Sequence, residues 1–434
     1  MDAPEPPQSP ALLRALGRWT LVALVVNAVI GSGIFGLPDD VAREVGAAAP
    51  WAYVLAAIGV AAIVLGHAEL GSQTRAAGGA YRWARQAFGR HAGIQMGWFV
   101  WLTRLTSAAA AANLLVSYLG EFWPAASGPA GRAALLTLLL GALTAINVRG
   151  VRDGARAANF FTVAKLLPLV FLAIAGLLLA PRGEPQAADI APAWRHWANA
   201  FVLLMFAYGG FETSLIPLAE ARDPRRDVPF ALLVGLGFVA VLYIALQLVT
   251  MWTVPDLAHS ARPLADAARA LLGDWAARLM AVGAVLSTFG FLGAQLVAVP
   301  RLTYAFAEQG DFPAIFGRVH PRFRTPYVSI VLWGVLVLAL ALYGNFLWNA
   351  VLSVASRLVS YVLVCAALLV LRRKHPGADA FRIPAAGLAA GIGIAFCLLL
   401  VTRMTREHAL LVGVVGLVAA LNWFTVRKRP AQPA

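Results

Sequence analysis

The chain has 434 residues, of which 60% are hydrophobic and only 13% charged, and its mean hydropathy is +0.73. That balance excludes an ordinary soluble domain and points to a polytopic membrane protein. The net charge of +14 is spread over the loops between apolar runs, without interleaved aromatics on one face, which excludes a nucleic-acid groove.

Residues 1–15, with Pro4, Pro6, Pro7 and Pro10, read as a short disordered tail, and no A-x-A cleavage site follows the first apolar run. Crossing a ~30 Å hydrocarbon core takes roughly 20 apolar residues, and about twelve such runs follow. They begin near Trp19, Pro50, Gly93, Ala133, Ala157, Trp197, Pro229, Ala276, Pro326, Phe346, Ala385 and Ala409. The expected fold is therefore an all-α integral membrane protein. The first run is interrupted by Gly31, Ser32 and Gly33, and the sixth by Gly209 and Gly210. Glycine costs a helix interior about 1 kcal/mol relative to alanine, and an opened turn leaves peptide groups that lipid cannot satisfy. Either a polar ligand binds there or neighbouring helices compensate.

The two interruptions lie five spans apart, and an odd number of crossings inverts the second copy. Residues 16–182 (spans one to five) and 190–374 (spans six to ten) would form a 5+5 inverted-repeat core. Residues 383–426 would add two C-terminal spans, and 427–434 a second tail. About 23 of the 35 Lys and Arg fall in alternate loops, from Arg14, Arg18 and Arg75 to Lys428 and Arg429, against about nine in the others. This bias puts both termini in the cytoplasm. Trp19, Trp51, Trp123, Trp197 and Trp252 sit near span ends, as in an aromatic belt.

Three basic residues remain within spans: Arg104, Lys165 and Arg357. An intramembrane charge costs about 2.5–3.5 kcal/mol or more unless paired or solvated, so such residues are functional or matched. Desolvation disfavours the charged amine, so Lys165 is a candidate proton switch, with a permanently charged pin between helices as the alternative. Glu212, two residues beyond the glycines, senses protonation, lines the inner pathway or makes a structural hydrogen bond to neighbouring backbone. Arg104, His67, Glu69 and Arg357 are expected to pair among themselves. Glu220, near Arg222 and Arg225, belongs to a cytoplasmic gate or a solvated helix end. Cys365 and Cys397 fall inside apolar spans, where packing is expected over a disulfide. No zinc-type His or Cys spacing, nucleophile elbow or phosphate-cradling loop occurs, so neither a metal nor a cofactor is implied.

Several motifs together resemble the amino acid–polyamine–organocation transporters, in particular bacterial amino acid permeases. They are NAVIGSGIFGLP in span one, AEL in span two, AGGAYRWARQAFG in the next loop, INVRGVR before span five and FAYGGFE in span six. Further on come AEARDPRRDVPFA, PRLTYAFAEQGDFP after span eight and LRRKHPGADAFRIP after span ten. One departure is Ala76 or Ala77, where many relatives carry proline before the glycine pair.

The resemblance implies a leucine-transporter-like core that carries an α-amino acid, with the substrate held by unwound backbone. The amides of Ser32 and Gly33 would take its carboxylate, and the carbonyls of Val29 and Ile30, beside Gly31, its ammonium. In span six the carbonyls of Phe206, Ala207 and Gly209 would join them, with Gly210 completing the break and the Phe206 ring closing over the substrate. The alternative is that these glycines only permit close helix packing. In similar permeases a lysine placed like Lys165 occupies the position where sodium-coupled relatives bind their ion, which would make Ser287 and Thr288 its neighbours.

The favoured reading is a proton-coupled amino acid transporter of a bacterial inner membrane, whose partners are the substrate, H+ and the bilayer. An exchanger or a sodium-coupled carrier of the same fold is the alternative. A membrane enzyme is the remote one, because no acid–base, nucleophile or metal cluster stands out. Small or neutral amino acids are the expected substrates, since no acidic pair near the breaks suggests a polyamine.

Overall fold

The computed structural model describes residues 16–73, 78–150, 154–181, 192–215, 221–376 and 381–427, and among them every extended element is helical. In chain order these are α1 (Arg18–Val29), α2 (Ser32–Gly36), α3 (Pro38–Val45), α4 (Ala49–Gln73), α5 (Gly79–Phe88), α6 (Arg90–Leu119), α7 (Pro129–Arg149) and α8 (Gly154–Leu179). The second half contains α9 (Trp194–Ala207), α10 (Pro224–Thr253), α11 (Pro263–Leu272), α12 (Asp274–Glu308), α13 (Tyr327–Tyr343), α14 (Phe346–Lys374), α15 (Ala386–Val401) and α16 (Arg406–Val426). Arg75, Ala76, Ala77, Arg152, Glu220 and both tails, apart from Arg427, lie outside the described residues.

A helix begins close to each of the expected span starts. Among the described residues nine helical stretches are long and apolar enough to cross a membrane, and α13 and α15 are shorter apolar helices. Helix α9 ends at Ala207, where the second interruption begins.

Helix α6 is buried along most of its length, and α14 and α12 pack against it, so it forms the centre of the bundle. Helices α7, α8 and α16 are peripheral and turn Leu138, Leu178 and Leu410 outward. Lipid tails are as apolar as these side chains, so close backbone approach must supply much of the helix–helix attraction. Glycine allows it. A Cβ on Gly235 of α10 would lie 2.6 Å from Val25 of α1, and one on Gly283 of α12 would lie 2.7 Å from Pro168 of α8. Cys365 and Cys397 are buried free thiols, as packing residues should be.

Candidate functional site

Both interruptions are real breaks in the helices. Helix α1 stops at Val29, Ile30 closes its last turn by donating to the Val26 carbonyl at 2.9 Å, and α2 restarts at Ser32. The second break runs through Tyr208, Gly209 and Gly210, with Gly210 at φ +107°. Left-handed backbone of this kind suits glycine alone, and a Cβ there would also meet the Ala28 carbonyl oxygen at 2.4 Å. The breaks therefore face each other directly. Ser32 and Gly33 are buried, and a Cβ on Gly33 would come within 2.7 Å of Ala207 Cα. Gly33 is thus a contact between the two broken spans, whereas Gly31 has open space beside it, the nearest atom lying at 3.9 Å.

Side chains from other helices hold the freed carbonyls. Lys165 of α8 is buried and its Nζ donates to the carbonyls of Asn27 at 2.6 Å and Ile30 at 2.5 Å. The Tyr243 hydroxyl of α10 spans the gap, 3.4 Å from the Val29 carbonyl and 3.3 Å from that of Ala207. Gly209 N donates to the Phe206 carbonyl at 3.2 Å. A carbonyl has two lone pairs, so one protein donor on each leaves room for a ligand. The Phe206 ring is buried beside Phe346, with centroids 6.0 Å apart and planes nearly perpendicular. Ser287 and Thr288 are buried on α12, but neither shares a hydrogen bond with Lys165 among the described residues. Thr288 donates to Ala284 of its own helix, and among the described residues the Ser287 hydroxyl has no partner.

Glu212 lies just past the second break and is held from three sides. Its Oε2 accepts from Gly210 N at 2.9 Å and from the Tyr361 hydroxyl at 3.1 Å, while Arg357 Nε stands 3.4 Å from Oε1. Arg357 also reaches the Met205 carbonyl at 3.4 Å and lies across Gly209, where a Cβ would overlap its Nη1. The expected pairing of Arg357 with Arg104, His67 or Glu69 is therefore corrected: its partner is Glu212. Arg104 is buried near Glu212 and Arg357. His67 packs edge-on against Trp83, Phe211 and Tyr361, its Nδ1 3.0 Å from the Ile63 carbonyl. Glu69 is clasped by Arg372 at 2.8 Å and accepts from Ile383 N at 2.9 Å.

The motifs that carried the resemblance meet in pairs. AEL meets LRRKHPGADAFRIP through that Glu69 clasp. AGGAYRWARQAFG meets PRLTYAFAEQGDFP at Asp311, which is fully buried and ion-paired to Arg85 at 3.0 Å and to Arg90 at 2.6 Å. The Tyr81 hydroxyl also donates to Asp311; burial, together with that carboxylate, raises its pKa and keeps the phenol protonated. Asn422 of α16 donates to the Asp311 carbonyl at 2.7 Å. Neither Tyr243 nor Asp311 stands out in the sequence as a site residue, although the QGDFP run containing Asp311 lies in one of the quoted motifs.

Comparison with known proteins gives the family. The amino acid permease family model matches residues 16–423. The chain belongs to that family. The permease is 28% identical over 415 residues to the methylthioribose transporter of Bacillus subtilis, which covers 90% of this chain and 88% of the relative. It is 26% identical over 436 residues to the branched-chain amino acid permease BcaP of the same organism, covering 96% and 92%. An uncharacterized transporter of Mycobacterium tuberculosis is 28% identical over 413 residues, covering 93% and 91%. The permease is accordingly a multi-pass membrane protein of a transporter family.

Proposed function

We propose that this permease is a secondary active transporter of an α-amino acid, proton-coupled and working by alternating access in a bacterial plasma membrane. The observation that supports this best is the pair of opposed helix breaks, bridged by Tyr243, with a buried lysine bonded to the carbonyl end of the first. In this reading the amides of Ser32 and Gly33 take the substrate carboxylate. The carbonyls of Val29, Ile30, Phe206, Ala207 and Gly209 take its ammonium, and the Phe206 ring closes above it. Peptide dipoles grip the parts common to all α-amino acids, and a zwitterion satisfies both polarities. The name of the relative BcaP, a branched-chain amino acid permease, supports the same substrate class.

The proposed layout has twelve spans in a 5+5 inverted repeat plus two, with both termini cytoplasmic and one bundle rocking against the other. Lys165 carries the coupling proton. Protonated, it ties α8 to the Asn27 and Ile30 carbonyls through charge-assisted hydrogen bonds; neutral, it loosens that tie. Glu212 is the other candidate for proton coupling, and its Oε2 also holds the second break by accepting from Gly210 N and the Tyr361 hydroxyl.

Uptake into proteoliposomes under an imposed pH gradient tests this. Uptake that is driven by an acidic interior or is indifferent to the gradient would refute proton symport, and dependence on internal substrate or on sodium would favour the exchanger or sodium carrier. Lys165→Ala is expected to transport without the pH dependence of the wild type, and an unchanged dependence would take the coupling away from Lys165.

A further inference from the structure

Arg104 stands apart from every other intramembrane charge. It projects from the central helix α6, is 8% exposed, and among the described residues donates no hydrogen bond and forms no ion pair. Its charged neighbours are Glu212 and Arg357, with Tyr361 alongside. Glu212 is one carboxylate for both guanidinium groups: Gly210 N and the Tyr361 hydroxyl take its Oε2, and Arg357 stands 3.4 Å from its Oε1. Two permanent positive charges therefore face one negative charge beside the second break. His67, packed against Phe211 and Tyr361, brings no negative charge, and Lys165 at the first break is itself a base. The Ser360 hydroxyl, one turn along α14 from Arg357, is buried and among the described residues has no hydrogen-bond partner.

A buried guanidinium without an acceptor is costly at bilayer depth, and its five N–H donors have a fixed fork that matches a carboxylate. A neutral amino acid cannot compensate it. The zwitterion's own two charges are matched by the peptide groups of the breaks and bring no net charge. A side-chain carboxylate would. We propose that Arg104 is a specificity-determining residue and that the substrate is an acidic α-amino acid, whose side-chain carboxylate pairs with this guanidinium. The inference rests on the amino acid reading above, and it replaces the neutral substrate expected from sequence with one that completes the charge balance at the second break.

The test uses the full chain in proteoliposomes and in detergent, with L-aspartate, L-glutamate, L-glutamine and L-leucine as probes. Wild type is expected to be stabilised against heat by an acidic amino acid, and to prefer it over glutamine, its neutral isostere, by roughly tenfold or more in competition. Arg104→Gln should abolish that preference, while Arg104→Lys, which keeps the charge but loses the fork, should retain part of it. Preference of the wild type for leucine or glutamine overturns the inference and leaves amino acid transport standing. So does an acidic preference that survives in Arg104→Gln. If none of the four binds or exchanges, this inference fails, and the reading beneath it fails only if none of the other common amino acids binds either. Should Arg104→Gln fail to fold, the wild-type preference and its size in Arg104→Lys decide the matter.

Discussion

Two glycines of the first break, two residues apart, should respond in opposite ways to the same added methyl group. In Gly33→Ala the new Cβ would sit 2.7 Å from Ala207 Cα, about 0.7 Å short of the 3.4 Å at which ordinary contact begins. Backbone cannot rotate away as a flexible side chain can, so α2 and α9 must separate. Overpacking of this kind costs about 1–3 kcal/mol, which is roughly 5- to 150-fold in an equilibrium constant. In Gly31→Ala the nearest atom is the Val29 carbonyl oxygen at 3.9 Å, an ordinary contact, and the cost should stay within about 0.5 kcal/mol. Thermal unfolding of the two purified variants, followed by intrinsic tryptophan fluorescence, measures the difference, and uptake in proteoliposomes shows whether function follows it. A Gly33→Ala protein as stable as wild type, or a Gly31→Ala protein that loses more, would refute the claim that the breaks are packed against each other at Gly33.

Glu212→Gln leaves Arg357 and Arg104 buried without a counter-charge, and should cost about 3–5 kcal/mol, read as a lower melting temperature and poorer yield of folded protein. Asp311→Asn should cost a similar ~3–5 kcal/mol, because Arg85 and Arg90 both lose their partner; proteolysis of the loop around Arg90 should speed up accordingly. Tyr243→Phe removes only one donor shared between two distant acceptors, so stability should fall by about 1 kcal/mol or less while uptake falls much further; equal loss in both assays would make the hydroxyl merely structural.

The helices and their two breaks were legible in the sequence because apolar run length and mid-run glycines report directly on bilayer crossing and local unwinding. Side-chain pairing was not. A helix that is hydrophobic on all sides gives no periodic signal for which face turns inward, so Arg357 could not be assigned to Glu212, which lies far away in sequence. For the same reason the carbonyls of Asn27 and Ile30, to which the Lys165 amine is bonded, could not be named from the sequence. The close approach of Gly33 to Ala207 of the second break is likewise invisible in the sequence. Tyr243 is one aromatic residue in an apolar run, and only the fold brings its hydroxyl to two carbonyls that are themselves far apart along the chain.

A phenol has a single hydrogen to give, and Tyr243 keeps it at nearly equal range of two acceptors, 3.4 and 3.3 Å away. Any tilt of α10 that strengthens one of these bonds weakens the other. The half-spans on either side thus exchange one bond between them, so that tightening one loosens its counterpart, and a single helix acts as the balance arm for both.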